Sequence, residues 1–101
     1  MLQKNQQITD RVQQLGNFAL EASNAQNWPQ AFAQMQEALE ICGDCSEAAH
    51  LHKNLGLMYT RTGKLEQAQK ELEKALQLNP DDNDAKQGLA AIQNAVSAQS
   101  K

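Results

Sequence analysis

The chain has 101 residues, 41% of them hydrophobic and 21% charged, with a net charge of −3 at pH 7. That length holds one small domain, and no apolar run approaches the roughly 18–20 residues that cross a bilayer. The acidic balance argues against nucleic acid, whose binders carry a basic stripe. No Lys or Arg lies between Val12 and His52, where five acids fall.

Ala, Gln and Leu, all good helix formers, supply 42 residues, whereas Val, Ile and Thr supply eight, too few to furnish a sheet. The expected class is all-α. Ile8, Val12, Leu15, Ala19 and Ala22 recur at steps of three and four, which predicts a helix over about 4–25. The chain breaks over Asn24 to Asn27. Asn27 is placed to cap a second helix, with Pro29 in its first turn, where a missing N–H costs nothing. That helix turns Ala31, Met35, Ala38, Leu39 and Cys42 inward, and Gly43 suits the left-handed residue that ends it. Asp44 followed by Glu47 reads as a capping box, which predicts a third helix from about Cys45 to Thr62. It carries Leu51, Leu55, Met58 and Tyr59 and stops before Gly63. A fourth helix covers about Leu65 to Leu78, with Leu65, Ala68, Leu72, Ala75 and Leu76 inward, and Asn79-Pro80 stops it. Asp81, Asp82 and Asp84 suit the start of a fifth helix. It presents Ala85, Leu89, Ile92 and Val96 on one face and frays after about Ser97.

Helices of similar length with short breaks call for a repeat search. Leu55-Gly56-x2-Tyr59, then Ala68-x3-Leu72-x2-Ala75, then Pro80, resembles the tetratricopeptide repeat pattern, with His52 in place of Trp and Leu72 in place of Phe. Aligning the second helices sets Ala31, Met35 and Ala38 beside Ala68, Leu72 and Ala75, and Phe18-Ala19 beside Leu55-Gly56. The resemblance spans about residues 12–82. It implies a right-handed α-α superhelix of helix pairs, five helices in one domain over 1–101. Repeat 1 covers about 12–45, repeat 2 about 49–82, and a capping helix about 83–97. Ala31 and Ala68 stand 37 residues apart against about 34 in the family, and the excess falls at Cys42–Ser46, as nearly one added turn of the third helix. Leu55, Tyr59, Ala68, Leu72 and Ala75 are expected to be largely buried as the centre of stability.

Cys42-Gly43-Asp44-Cys45, with His50 and His52 beyond, invites three chemical readings. Covalent haem needs His directly after the second Cys, where Ser46 stands. For zinc, a helix opening at Cys45 sets Cys45 and His52 about 10 Å apart along its axis and turns His50 and His52 to different faces. For redox chemistry, Cys45 near a helix N-terminus is the better thiolate, but a thioredoxin-like enzyme needs strands. The expectation is two free thiols, Cys42 buried and Cys45 the more reactive, with no disulfide inside a cell. His52 is expected at the core edge and His50 partly exposed. No catalytic set assembles, and no cofactor or metal is expected.

The resemblance implies a non-catalytic adaptor that takes a protein or peptide partner in a concave groove lined by the first helix of each pair. That places Gln13, Leu20, Asn24, Lys53, Asn54, Leu57, Thr60, Arg61 and Gln87 towards the partner. The positions that form the family's carboxylate clamp hold Gly16, Leu20, Asn54, Asp84 and Gly88, which argues against that clamp. Leu20 and Leu57 form an apolar floor, and Lys53 and Arg61, about 12 Å apart along one helix, favour a partner with an apolar anchor and one or two acids. The alternatives are a thiol- or zinc-dependent module on Cys42 and Cys45, and a self-associating unit that covers Leu2, Ile8 and Val12. No basic start leads into an apolar stretch, so a cytoplasmic location is expected.

Overall fold

The computed structural model describes the backbone of residues 2–99 and the side chains of residues 6–98. The described residues form α1 (Leu2–Asn24), α2 (Trp28–Cys42), α3 (Ala48–Arg61), α4 (Leu65–Leu78) and α5 (Asn83–Gln99), with no strand among them. None of these helices is long and apolar enough to cross a membrane. The chain divides into two units, one up to Leu51 and one from His52 onward.

In the first unit α1 packs along α2. Its core is Val12, Leu15 and Ala19 from α1, Ala31, Met35, Ala38 and Cys42 from α2, and Ala48 and Leu51 from the start of α3. Ser23, which the apolar spacing passes over, is also buried. Ile8 is half-buried, and the Leu2 side chain lies outside the described residues. Between the helices Gln26 takes φ 61°, and the Asn27 N–H donates to Ala22 O at 2.8 Å. Asn27 holds the cap position with Pro29 in the first turn, yet its side-chain amide bonds Gln30 Oε1 at 2.8 Å and no backbone N–H. Gly43, at φ 58°, ends α2 and donates to Leu39 O at 2.9 Å. A Cβ would find no obstacle there, so glycine is suited by backbone conformation and not by lack of room.

The start of α3 corrects the sequence reading. Cys42 and Cys45 form a disulfide, so neither is the free thiol expected. The bridge closes the turn that follows α2, where the Cys45 N–H donates to Cys42 O at 3.0 Å and the Ala48 N–H to Cys45 O at 3.1 Å. These are i to i−3 bonds. The regular ladder opens only at the Leu51 N–H to Glu47 O bond, 3.0 Å. The helix therefore begins at Ala48 and not at Cys45, Asp44 caps nothing at that distance, and the extra residues of the first repeat lie in the connection instead of a helical turn.

The second unit builds its core from α3, α4 and α5. Ala68, Leu72, Ala75, Ala85 and Ile92 are buried together, and Tyr59, Leu65, Leu76, Leu89 and Val96 pack round them half-covered. Leu55 and Met58 of α3 are buried as well. Tyr59 was expected inside, but it sits on the rim. Leu72 lies between two glycines. A Cβ at Gly56 would stand 2.7 Å from Leu72 Cγ and 3.3 Å from Ala68 O, and one at Gly88 would stand 3.2 Å from Leu72 Cδ1. The absent side chains let α3 and α5 close on this leucine. Gly63, at φ 78°, turns the chain after α3. At the start of α5 the Ala85 N–H donates to Asp82 Oδ1 at 3.2 Å, an N-cap bond from an acid whose sequence position showed only its favourable charge for the helix dipole. The helix then continues past the expected end near Ser97 to Gln99.

Candidate functional site

Lys53, Asn54, Leu57, Thr60 and Arg61 recur along α3 at one-, three- and four-residue steps, which sets them on one side of the helix. In the second unit α5 approaches that side. Leu57 Cδ2 lies 3.6 Å from the point a Cβ on Gly88 would occupy, so this half-buried leucine covers the bare backbone of α5. Lys53 Nζ is 3.6 Å from Asp82 Oδ2 and 4.0 Å from Asp84 Oδ2. The Lys53 and Asp82 side chains are each only 14% exposed, whereas Asp84 is 76% exposed. The Asp82 carboxylate thus caps α5 with one oxygen and holds the lysine with the other. Lys53 was expected to offer free positive charge, and this pairing corrects that. With two carboxylates on one ammonium, the local balance is −1.

Asn54 is 6% exposed, and its Nδ2 is a buried donor with no acceptor. Such a group costs roughly 1–3 kcal/mol of desolvation when nothing answers it. Thr60 turns its hydroxyl back on its own helix, donating to Gly56 O at 2.9 Å. Arg61 and Gln87 are exposed. Leu20, half-buried, and Asn24, exposed, belong to the first unit, as does Gln13, whose Nε2 donates to Glu47 Oε1 at 3.4 Å. The structure therefore brings Lys53 to Asp82 and Leu57 to Gly88 within one unit, with the buried Asn54 between them along α3. Asp82 is the participant that sequence spacing misses. It stands 29 residues from Lys53, and no local periodicity links the two.

The cysteine and histidine cluster resolves differently. Both sulfurs are engaged in the disulfide. His52 Nδ1 lies 2.6 Å from Glu71 Oε2, with the two side chains 20% and 14% exposed, and Glu71 Oε1 lies 3.6 Å from Lys74 Nζ. His52 occupies the core edge as its position implies, tied to α4. His50 is exposed. Among the described residues no three His, Cys, Asp or Glu side chains gather as a metal would need.

Two helices crossing over Gly56, Ala68 and Leu72, with a further helix closing the unit, is the arrangement the repeat pattern implies. The profile of the tetratricopeptide repeat family matches residues 13–81. The chain belongs to the tetratricopeptide repeat family. The match runs from the middle of α1 to just past the end of α4 and stops two residues before α5. No curated protein matches the chain. Tetratricopeptide repeats generally mediate protein–protein contacts and are generally non-catalytic.

Proposed function

We propose that the chain is a non-catalytic adaptor that binds a peptide segment of another protein on the α3–α5 face of its second unit. In this reading residues 1–101 form one domain of two repeats, about 12–45 and 49–82, with α5 as the cap. The observation that carries the proposal is Asn54. A buried amide donor without an acceptor lowers stability in the free protein, and a side-chain rotation that carries it to the surface gains it an acceptor from a bound backbone carbonyl. Leu57 beside it offers an apolar anchor point. The pairing of Lys53 with Asp82 and Asp84 changes the expected partner. Binding rests on backbone and apolar contacts and not on acidic residues in the ligand. Leu20 and Asn24 of α1 are further candidate contacts and are tested separately.

The experiment is affinity capture with the wild type and Asn54→Ala in parallel, together with chemical denaturation of both. Loss of the captured proteins with stability unchanged or raised supports the reading. An asparagine kept for the fold would give the opposite pair, intact capture and lower stability. Leu57→Asp is expected to reduce capture further. Leu20→Asp and Asn24→Ala report whether α1 takes part.

A further inference from the structure

The connection between α2 and α3 contains two competing instructions. Asp44 and Glu47 have the spacing of a capping box that would start α3 at Cys45. The Cys42–Cys45 disulfide instead holds residues 43–47 in turns, and α3 starts at Ala48. In that state Asp44 is exposed, and Glu47 Oε1 receives the Gln13 side-chain amide at 3.4 Å. Cys42 is 7% exposed and Cys45 half-buried, so an incoming group meets Cys45 first. A cavity of about 320 Å³, lined by Ile8, Thr9, Ile41, Cys42, Cys45 and Ser46, opens beside the bond. That volume lies at the lower end of small-molecule sites.

We propose that the Cys42–Cys45 disulfide is a reversible exchange site for a dithiol reductant, and that its opening lets α3 start one turn earlier, at Cys45, capped by Asp44. One thiolate of the dithiol attacks Cys45 Sγ. The Cys42–Cys45 bond breaks, its electron pair passes to Cys42 Sγ, and Cys42 takes up a proton. The second thiol of the dithiol, deprotonated, attacks the reductant's sulfur in the mixed disulfide. Cys45 leaves as thiolate and is protonated, and the reductant is oxidised to its internal disulfide. The protein gains two electrons and two protons. With the turn released, the amides of Ala48, Ala49 and His50 find the carbonyls of Asp44, Cys45 and Ser46 four residues back. The Asp44 carboxylate accepts the Glu47 N–H, and the Glu47 carboxylate leaves Gln13 to accept the Asp44 N–H. The connection shortens from residues 43–47 to Gly43 and Asp44, still within the ordinary range for paired helices.

Residue-resolved amide exchange of the full chain, oxidised and in dithiothreitol, tests this. Exchange at Ala49 and His50 is expected to slow about fivefold on reduction, the scale of one N-cap. Asp44→Ala should abolish that slowing and leave the oxidised rates unchanged. The double variant C42S/C45S should show the reduced rates without reductant. Equal or faster exchange after reduction of the wild type overturns the proposal, as does a disulfide that persists in the folded chain under dithiothreitol.

Discussion

The two units solve the same packing problem with different residues. In the first, Ala19 aligns with Gly56 of the second and Met35 with Leu72, and all but the glycine bring a side chain to the core. The first unit meets α2 with a methyl group and a flexible thioether, which fills irregular gaps. The second removes the Cβ altogether and closes two glycines on one branched side chain. Its connections are short, residues 62–64 and 79–82, whereas the first unit carries the longer link 43–47 and a covalent bridge across its start. A repeat pattern thus prescribes where helices cross. It leaves open whether the crossing is held by close approach or by tolerant filling with a local staple.

The comparison is tested most strongly at Leu72. Leu72→Ala empties the space both glycines were cleared for and is expected to cost about 2–5 kcal/mol by urea denaturation. Met35→Ala in the first unit is a matched deletion, and a smaller loss there would confirm that tolerance lies with the first unit. Leu72→Phe, which restores the family's preferred residue, should overpack the crossing and destabilise by about 1–3 kcal/mol. A stabilised Phe variant would show that the Gly56 approach has slack.

Two glycine substitutions sharpen the contrast, because alanine gains up to about 1 kcal/mol of helix propensity wherever it fits. At Gly56 the new methyl meets Leu72 Cγ at 2.7 Å and the Ala68 carbonyl at 3.3 Å, so a net loss of about 1–3 kcal/mol is expected. At Gly16 it meets only Leu51 Cδ2 at 3.6 Å, an ordinary contact, and Gly16→Ala should raise stability by about 0.5–1 kcal/mol. Opposite signs in thermal melts are the required result. The smallest effect is expected at Arg11, which lies 3.6 Å from Glu37 with both side chains half exposed. Arg11→Met should change stability by about 0–1 kcal/mol, and a larger change would mean that the pair organises α1 against α2.

Helix identity and most boundaries are legible in the sequence because their causes are local. Pro29 in a first turn, Gly43 and Gly63 at positive φ, and Asp82 capping α5 each act within a few residues. The failure at Asp44 is also local but of another kind. Capping chemistry and disulfide chemistry compete for one four-residue turn, and residue spacing alone does not rank a hydrogen bond against a covalent bond. The candidate site was legible in part. Helical periodicity puts Lys53, Asn54 and Leu57 on one side of α3, but it says nothing of what faces them.

The sequence by itself therefore determined the all-α class, the five helices, the repeat register centred on Gly56, Ala68 and Leu72, and family membership. These follow from propensity, apolar period and turn chemistry, which act over one or two helical turns. Only the tertiary structure decided that Lys53 is neutralised by Asp82 and Asp84, that His52 is tied to Glu71, that Tyr59 stays on the rim, and that the Asn54 amide is buried without an acceptor. Those outcomes depend on which helix faces meet and how closely. Charge pairing and burial over 19 or 29 residues of separation are properties of the packed helices and not of any single segment.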